Sequence, residues 1–523
     1  MSFSQLPLKD IYKNVFSKNR GKVALVFEKK TVTYGELLKS SNRVSHALMR
    51  RGIKANSRVA LLMSNCVEYV ISDMGIIQAG AAKVPLNDML GEKEILHILK
   101  HSNTKVLIVD RAFYEMIEKI KNELPEMETI VAVGSQEDHP DGFISWEEFQ
   151  GFESENDVEE IGSGQDIAVI MYTGGTTGLP KGVVHTKENI AVNLLSHIIE
   201  LCLNDDEKIL LTTPLPHSAG FVLAAGLAKG ATHFIEKKFD PQLVLNHLEQ
   251  NQITLTFMVP TMIYRVIDTL NDRRPNFSNL RTILYGAAPI TVERLKQGLD
   301  IFGPVFTQLF GQSEAPNFIS RLKKSDHSLD PANEKRLRSC GQPVLMAQIR
   351  IVDESGKRVP HGTEGEIIAK TPYTMICYHE AKDKTEETVK DGWLYTGDVG
   401  MMDDDGYIYL LDRKKDMIIS GGLNVYTSEV ENVIQQYPDV SQVAVIGIPH
   451  SDWGEVVSAI IVPVNGVTLT EEKIQNFCVQ HLAKYKRPKN IIFMDSLPLT
   501  PYGKIDKKVL RQPYWEKAGR NIN

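Results

Sequence analysis

Strand-length apolar runs alternate, over the first 300 residues, with longer stretches whose apolar positions recur every three or four residues. RVALLM at 58–63 precedes the helix-like CVEYVISDMGIIQAG at 66–80, and KVLIVD at 105–110, DIAVIM at 166–171, KILLTTPL at 208–215, ITLTFMV at 253–259 and LRTILYG at 280–286 follow. Runs that are apolar throughout suit strands buried on both faces, and their alternation with amphipathic helices predicts an α/β fold of mainly parallel sheets covered by helices.

The pattern changes from about residue 395. MMDDDGYIYLLD at 401–412 predicts a short hairpin turning at Asp404–Asp405–Gly406, and DRKKDMIISGGLNV at 412–425 sets a charge cluster against a glycine pair. Beyond it, TSEVENVIQQY predicts a helix with Thr427 or Ser428 as its N-cap. VSQVAVIGI and EVVSAIIVPV then read as strands, and EEKIQNFCVQHL as a second helix. The expected organisation is a large domain over 1–414 and a small, mobile α+β domain over 415–523.

Composition narrows the class. Of 523 residues 42% are apolar and 24% charged, which suits a folded globular chain rather than a disordered or fibrous one. The 59 basic and 66 acidic side chains leave a net charge of −7, so nothing favours nucleic acid or an anionic membrane as partner. Five scattered cysteines, Cys66, Cys202, Cys340, Cys377 and Cys478, suggest neither a disulfide framework nor a zinc site, and point to a reducing cytoplasm. The N-terminus has no continuous apolar core, and AGFVLAAGLA at 219–228 is too short to span a bilayer, so neither secretion nor a transmembrane segment is expected.

The chemistry is concentrated in YTGGTTGLPKG at 172–182, where glycines expose backbone N–H groups while threonines and a lysine add donors. Such a loop suits close approach to phosphate. It is not a P-loop: Pro180 stands five residues after Gly175 where that motif needs glycine, and Gly182 follows Lys181 where it needs Ser or Thr.

Read together with GAAP at 286–289, FGQSE at 310–314, YTGD at 395–398, DRKKDMI at 412–418 and PYGKID at 501–506, the loop resembles the adenylate-forming superfamily. That superfamily includes acyl-CoA synthetases, luciferases and peptide-synthetase adenylation domains. The resemblance runs from about residue 24 to 511 and implies two half reactions: a carboxylate attacks the α-phosphate of ATP to give acyl-AMP and pyrophosphate, then a thiol displaces AMP. It implies ATP, Mg²⁺ and coenzyme A, a small carboxylic acid as substrate, and a site at the junction of the two domains. A thiol on a carrier protein is the alternative acceptor. A non-catalytic adenylate-binding sensor is the reading from another class, against which Glu314 and Lys504 argue.

By the same resemblance Thr173, Gly174, Gly175, Thr176, Thr177 and Lys181 would hold the departing pyrophosphate. Gly286, Ala287 and Ala288, with Phe310, Gly311 and Ser313, would form the adenine pocket, and Glu314 would offer a hard oxygen to Mg²⁺. Asp398 would accept the ribose hydroxyls, Arg413 would reach the same nucleotide, and Lys415 would fall at the hinge. Lys504 would offset charge during adenylation, and Gly421 and Gly422 would line the pantetheine path after the small domain rotates. His217 in PLPHSAG would guard the carboxylate pocket or be a buried, satisfied histidine. The small residues Ala219, Gly220, Ala224, Ala225 and Gly226 would widen that pocket or serve helix packing, and KYKRPK at 484–489 would be a solvated face or a contact for the 3′-phosphate of CoA.

Overall fold

The apolar runs pair mainly with one another. Val23–Phe27, Thr232–Ile235, Lys208–Leu211, Leu255–Met258, Thr282–Tyr285 and Phe306–Gln312 lie side by side in that order, every neighbouring pair parallel. Ala315–Leu322 closes back antiparallel on the last of them. A second sheet carries Ile167–Thr173, Ala82–Pro85, Arg58–Leu62, Val106–Asp110 and Thr129–Val133, again all parallel, with Lys181–Thr186 and Cys377–Tyr378 added antiparallel at one edge. Parallel strands need crossovers, and the helices that supply them cover both faces, which is why the runs carry almost no polar residue. This computed structural model describes residues 8–517 except 135–138, 152, 160–161, 174–178, 272, 332, 465 and 501–504.

The chain divides into two compact units, 1–349 with 369–394, and 350–368 with 395–523. In the second unit the hairpin expected at Asp404–Gly406 forms, Met402 facing Ile408 and Gly406 taking φ +80°. Val440–His450 and Gly454–Pro463 pair antiparallel over their length, and Asn490–Phe493 runs parallel to the latter. Alternation sorts their side chains. Val443 and Val445 pack with the helices Thr427–Ile434 and Glu471–His481, whereas Ala444 and Ile446 pack on the other face with Leu510 of Lys507–Lys517. Each fully buried branched side chain of this kind contributes roughly 1.5–3 kcal/mol.

Neither expected N-cap is used. The helix begins at Thr427 itself with Tyr426 in the cap position, and the Thr427 hydroxyl and amide both donate to Asp412, the hydroxyl at 2.8 Å. A carboxylate 15 positions upstream therefore satisfies the helix start, a partner that local pattern cannot announce.

Candidate active site

Thr173 ends one strand and Lys181 opens the next, directly opposite in an antiparallel register. The glycine loop is thus the connection of a hairpin, not the strand-to-helix turn of a P-loop. Gly174, Gly175, Thr176 and Thr177 lie outside the described residues, as does Lys504. Both ends of the loop are held from outside. His97 Nε2 meets the Pro180 carbonyl at 3.1 Å, and the His379 amide donates to Gly182 O at 2.7 Å. Gly182 is glycine for packing, since an added Cβ would fall 2.8 Å from Ile170 Cγ2 and 3.2 Å from His379 Cβ.

Lys181 Nζ stands 5.6 Å from the centre of the Tyr378 ring, and the Tyr378 hydroxyl donates to Glu314 Oε1 at 2.5 Å. One aromatic side chain therefore joins the base of the loop to the carboxylate singled out for metal. Glu314 is 9% exposed and sits with Ser313 in the two-residue turn between Gln312 and Ala315. Its carbonyl accepts from Met375 N at 2.7 Å, and Ser313 O receives the Nε2–H of His185, also at 2.7 Å. Burial lowers His185 to about 4, so this ring is neutral and donates one hydrogen bond into the turn.

Gly286, Ala287 and Ala288 leave the end of Thr282–Tyr285 while its parallel neighbour continues to Phe310. They lie at the carboxyl ends of adjacent strands, where α/β sheets place ligands. A Cβ on Gly286 would press to 2.6 Å from Leu309 O, and one on Gly311 to 2.6 Å from the Asn317 carbonyl carbon. Ala287 takes φ +65°, a left-handed conformation that shapes the wall by backbone rather than by side chain.

His217 occupies the N-cap of Ser218–Lys229, its Nε2 at 2.8 Å from Asn87 Nδ2. Asn65 holds the preceding segment, donating to Thr213 O and accepting from Leu215 N, both at 2.9 Å. Asn317 donates to Ser218 O at 3.2 Å, which brings the Glu314 hairpin to the same helix start. The small residues of that helix serve packing: a Cβ on Gly226 would meet His233 Nε2 at 2.2 Å, one on Gly220 would meet Leu215 O at 2.3 Å, and Ala219 and Ala225 are wholly buried in the core.

In the second unit Asp398 lies within a strand. It is 1% exposed within Trp393–Met402, faces Arg413 across the sheet, and receives the Arg413 Nε–H at 2.7 Å. Lys415 follows on the exposed segment, and its carbonyl accepts from Arg511 at 3.2 Å while Asp416 pairs with Arg511 at 2.6 Å. Gly421 and Gly422 form the two-residue turn between Ser420 and Leu423, with φ of +59° and +79°. Both central residues with positive φ define a type I′ hairpin turn, so glycine is explained here without a ligand. Gly421 is also closed against Trp453, where a Cβ would approach to 2.6 Å.

Sequence reasoning did not find Tyr378, His185 or Asn87. Tyr378 and Glu314 are 64 residues apart, His185 and Ser313 128, Asn87 and His217 130. No spacing links such pairs.

This loop, buried carboxylate and pair of strand ends accompany a match to the AMP-binding enzyme family over residues 12–379, and to the AMP-binding enzyme C-terminal domain over 429–504. The chain belongs to this family. It is 35% identical to the medium/long-chain-fatty-acid–CoA ligase FadD8 of Mycobacterium tuberculosis, over 97% of this chain and 90% of that protein. It is 32% identical to the fatty acid–[acyl-carrier-protein] ligase ScoC of Streptomyces coeruleorubidus, over 96% and 95%. Among solved structures, the anthranilate CoA ligase AuaEII in complex with anthranoyl-AMP superposes with a TM-score of 0.89 at 26% identity, covering 99% of this chain and all of that one. The protein is an AMP-forming acid–thiol ligase: it activates a carboxylic acid with ATP as acyl-AMP, releases pyrophosphate, and passes the acyl group to a thiol. No described helix is long and apolar enough to cross a membrane.

Among the described residues no group of three or more His, Cys, Asp or Glu side chains converges as a metal cage. Mg²⁺ in phosphoryl chemistry is held by one or two carboxylates plus the substrate's phosphates, and a single buried carboxylate such as Glu314 fits that pattern.

Proposed function

We propose that the acid is a medium- or long-chain fatty acid or an aryl acid, and that CoA, not a carrier protein, is the acceptor, with the enzyme working in the cytoplasm. One observation carries the assignment of the chemistry to these residues: the line from Lys181 through the Tyr378 ring to Glu314, which puts the base of the loop beside the only charged member of the FGQSE motif. Thr173, Gly174, Gly175, Thr176, Thr177 and Lys181 hold the departing pyrophosphate, where positioning and charge neutralisation are most of what a protein contributes to attack at phosphorus. Glu314 holds Mg²⁺, which when bound supplies positive charge against the phosphates. Gly286, Ala287, Ala288, Phe310, Gly311 and Ser313 take the adenine, and His217 faces the acid.

Asp398 accepts the ribose hydroxyls and keeps Arg413 oriented toward the nucleotide. Lys504 neutralises charge in adenylation. The chain pivots at Lys415, so that 1–414 and 415–523 move against each other, and the turn at Gly421–Gly422 serves the pantetheine arm in the second step. A pyrophosphate-release screen over short, medium, long and aromatic acids, run with CoA, with a phosphopantetheinylated carrier and with neither, tests this reading. AMP and pyrophosphate as products with turnover only on CoA are expected. ADP and phosphate would sink the chemistry, turnover on the carrier alone would move the acceptor, and nucleotide binding without turnover would favour a sensor.

A further inference from the structure

Asn87 stands two residues beyond the strand Ala82–Pro85, is 1% exposed, and is absorbed by none of the roles above. Its Oδ1 accepts the Met89 amide at 2.9 Å, and its Nδ2 lies 2.8 Å from His217 Nε2. The two bonds agree on one orientation of the amide, because the flipped form would set an NH₂ against the Met89 N–H, donor against donor. A carboxamide NH₂ only donates, so His217 Nε2 must present its lone pair, and the ring proton resides on Nδ1. The backbone gives a second reason. His217 stands at the N-cap position of the helix Ser218–Lys229, where the positive end of the dipole disfavours an imidazolium.

We infer that Asn87 is a positioning residue that holds His217 as the neutral, Nδ1-protonated tautomer, so that the acid meets an uncharged imidazole and keeps its own negative charge for attack on the α-phosphate. The inference rests on the assignment of His217 to the acid pocket. Its chemistry is simple: an imidazolium at that position would pair with the carboxylate and lower its nucleophilicity, whereas a neutral ring orients it. Its neighbour Asp88 is raised by burial, and Asp110 and Lys238 act on that carboxyl in opposite directions.

Asn87→Asp tests the inference, because Asp retains an acceptor for the Met89 amide while turning the donor toward His217 into a second acceptor. A carboxylate at that distance favours the protonated ring by about 1–3 pKa units. The acid limb of kcat/KM for the carboxylic acid should therefore move to higher pH by a similar amount, with activity recovering as the pH is raised, while KM for CoA stays within about twofold. Protein labelled with ¹⁵N in its histidine rings gives a readout independent of turnover, His217 being assigned by its loss in His217→Gln. Wild type should show an unprotonated Nε2 and a protonated Nδ1 at pH 7, and Asn87→Asp should show both protonated. A protonated Nε2 in wild type, or a pH profile that drops uniformly without shifting, overturns the inference. The expected ring signals with unchanged kinetics toward the acid would instead overturn the role given to His217 and leave the tautomer lock standing.

Discussion

The Tyr378 hydroxyl donates to Glu314 Oε1 at 2.5 Å, and the same ring carries the Lys181 ammonium 5.6 Å from its centre. A hydrogen bond to a buried carboxylate is among the stronger ones, and it holds one oxygen of Glu314 while directing the group as a whole. Tyr378→Phe keeps the ring beneath Lys181 and deletes the bond to Glu314. Stability should fall by about 1–3 kcal/mol, and the Mg²⁺ concentration needed for half-maximal pyrophosphate release should rise. Glu314→Gln should raise it further. Melting curves and Mg²⁺ titrations of both variants check this, and an unchanged Mg²⁺ requirement in Glu314→Gln removes that residue from the metal site.

The His185 ring, buried and lowered to about 4, ties the Ser313 carbonyl beside Glu314 and makes the turn sensitive to acid. His197, His233 and His327 are lowered by burial to about the same value. In each case the unfolded chain binds a proton near pH 6.5 and the folded chain does not until about pH 4. Their contribution to stability is therefore complete above 6.5 and lost progressively as pH falls through that window. Thermal melts between pH 7.5 and 4.5 should show this decline. His185→Gln, which retains a donor for Ser313 O and cannot ionise, should decline less steeply, and a slope equal to that of wild type would contradict the burial argument for this ring.

The strands were legible because burial on both faces leaves uniform apolar runs, and DIAVIM, KILLTTPL and LRTILYG all became parallel strands. KGVVHT does not read as a strand, since its lysine, histidine and glycine break the run. It forms because Gly182 permits close packing and His185 is satisfied by Ser313. Motif residues were legible as types at spacings, which located Glu314 and Asp398. What each touches was not: Asp398 is a buried strand residue paired with Arg413, and the glycines at 421 and 422 serve the turn geometry itself. Partners that lie far apart in sequence leave no periodic trace.

Asp398 gives a cleaner test of nucleotide binding than the loop does. Asp398→Asn keeps an acceptor for Arg413 but withdraws the charge that strengthens hydrogen bonds to ribose hydroxyls. KM for ATP should rise by about tenfold, corresponding to about 1.4 kcal/mol, with kcat for adenylation changed less. Initial rates of carboxylate-dependent pyrophosphate release against ATP concentration decide it. A fall in kcat at unchanged KM would take Asp398 out of the ribose contact.

The two half reactions should separate by mutation, because Lys504 and Gly422 are assigned to different steps. Lys504→Ala should depress AMP formation strongly, the loss of one preorganised charge at a developing oxyanion being worth on the order of 3 kcal/mol, yet preformed acyl-AMP should still react with CoA. Gly422 needs a control, because its φ of +79° strains any ordinary side chain whether or not pantetheine passes nearby. Asn tolerates left-handed backbone, and the space around a Cβ at this position is open to 4 Å, so Gly422→Asn should fold and adenylate nearly as wild type. Gly422→Leu adds bulk as well as strain. If the pantetheine arm uses this turn, Leu should slow thioester formation from preformed acyl-AMP well beyond Asn while leaving adenylation within a few-fold. Single-turnover measurements of each step in all three variants distinguish the cases. Equal loss of both steps in Lys504→Ala and Gly422→Leu would point to one static site, and the pivot at Lys415 would then have no step to separate.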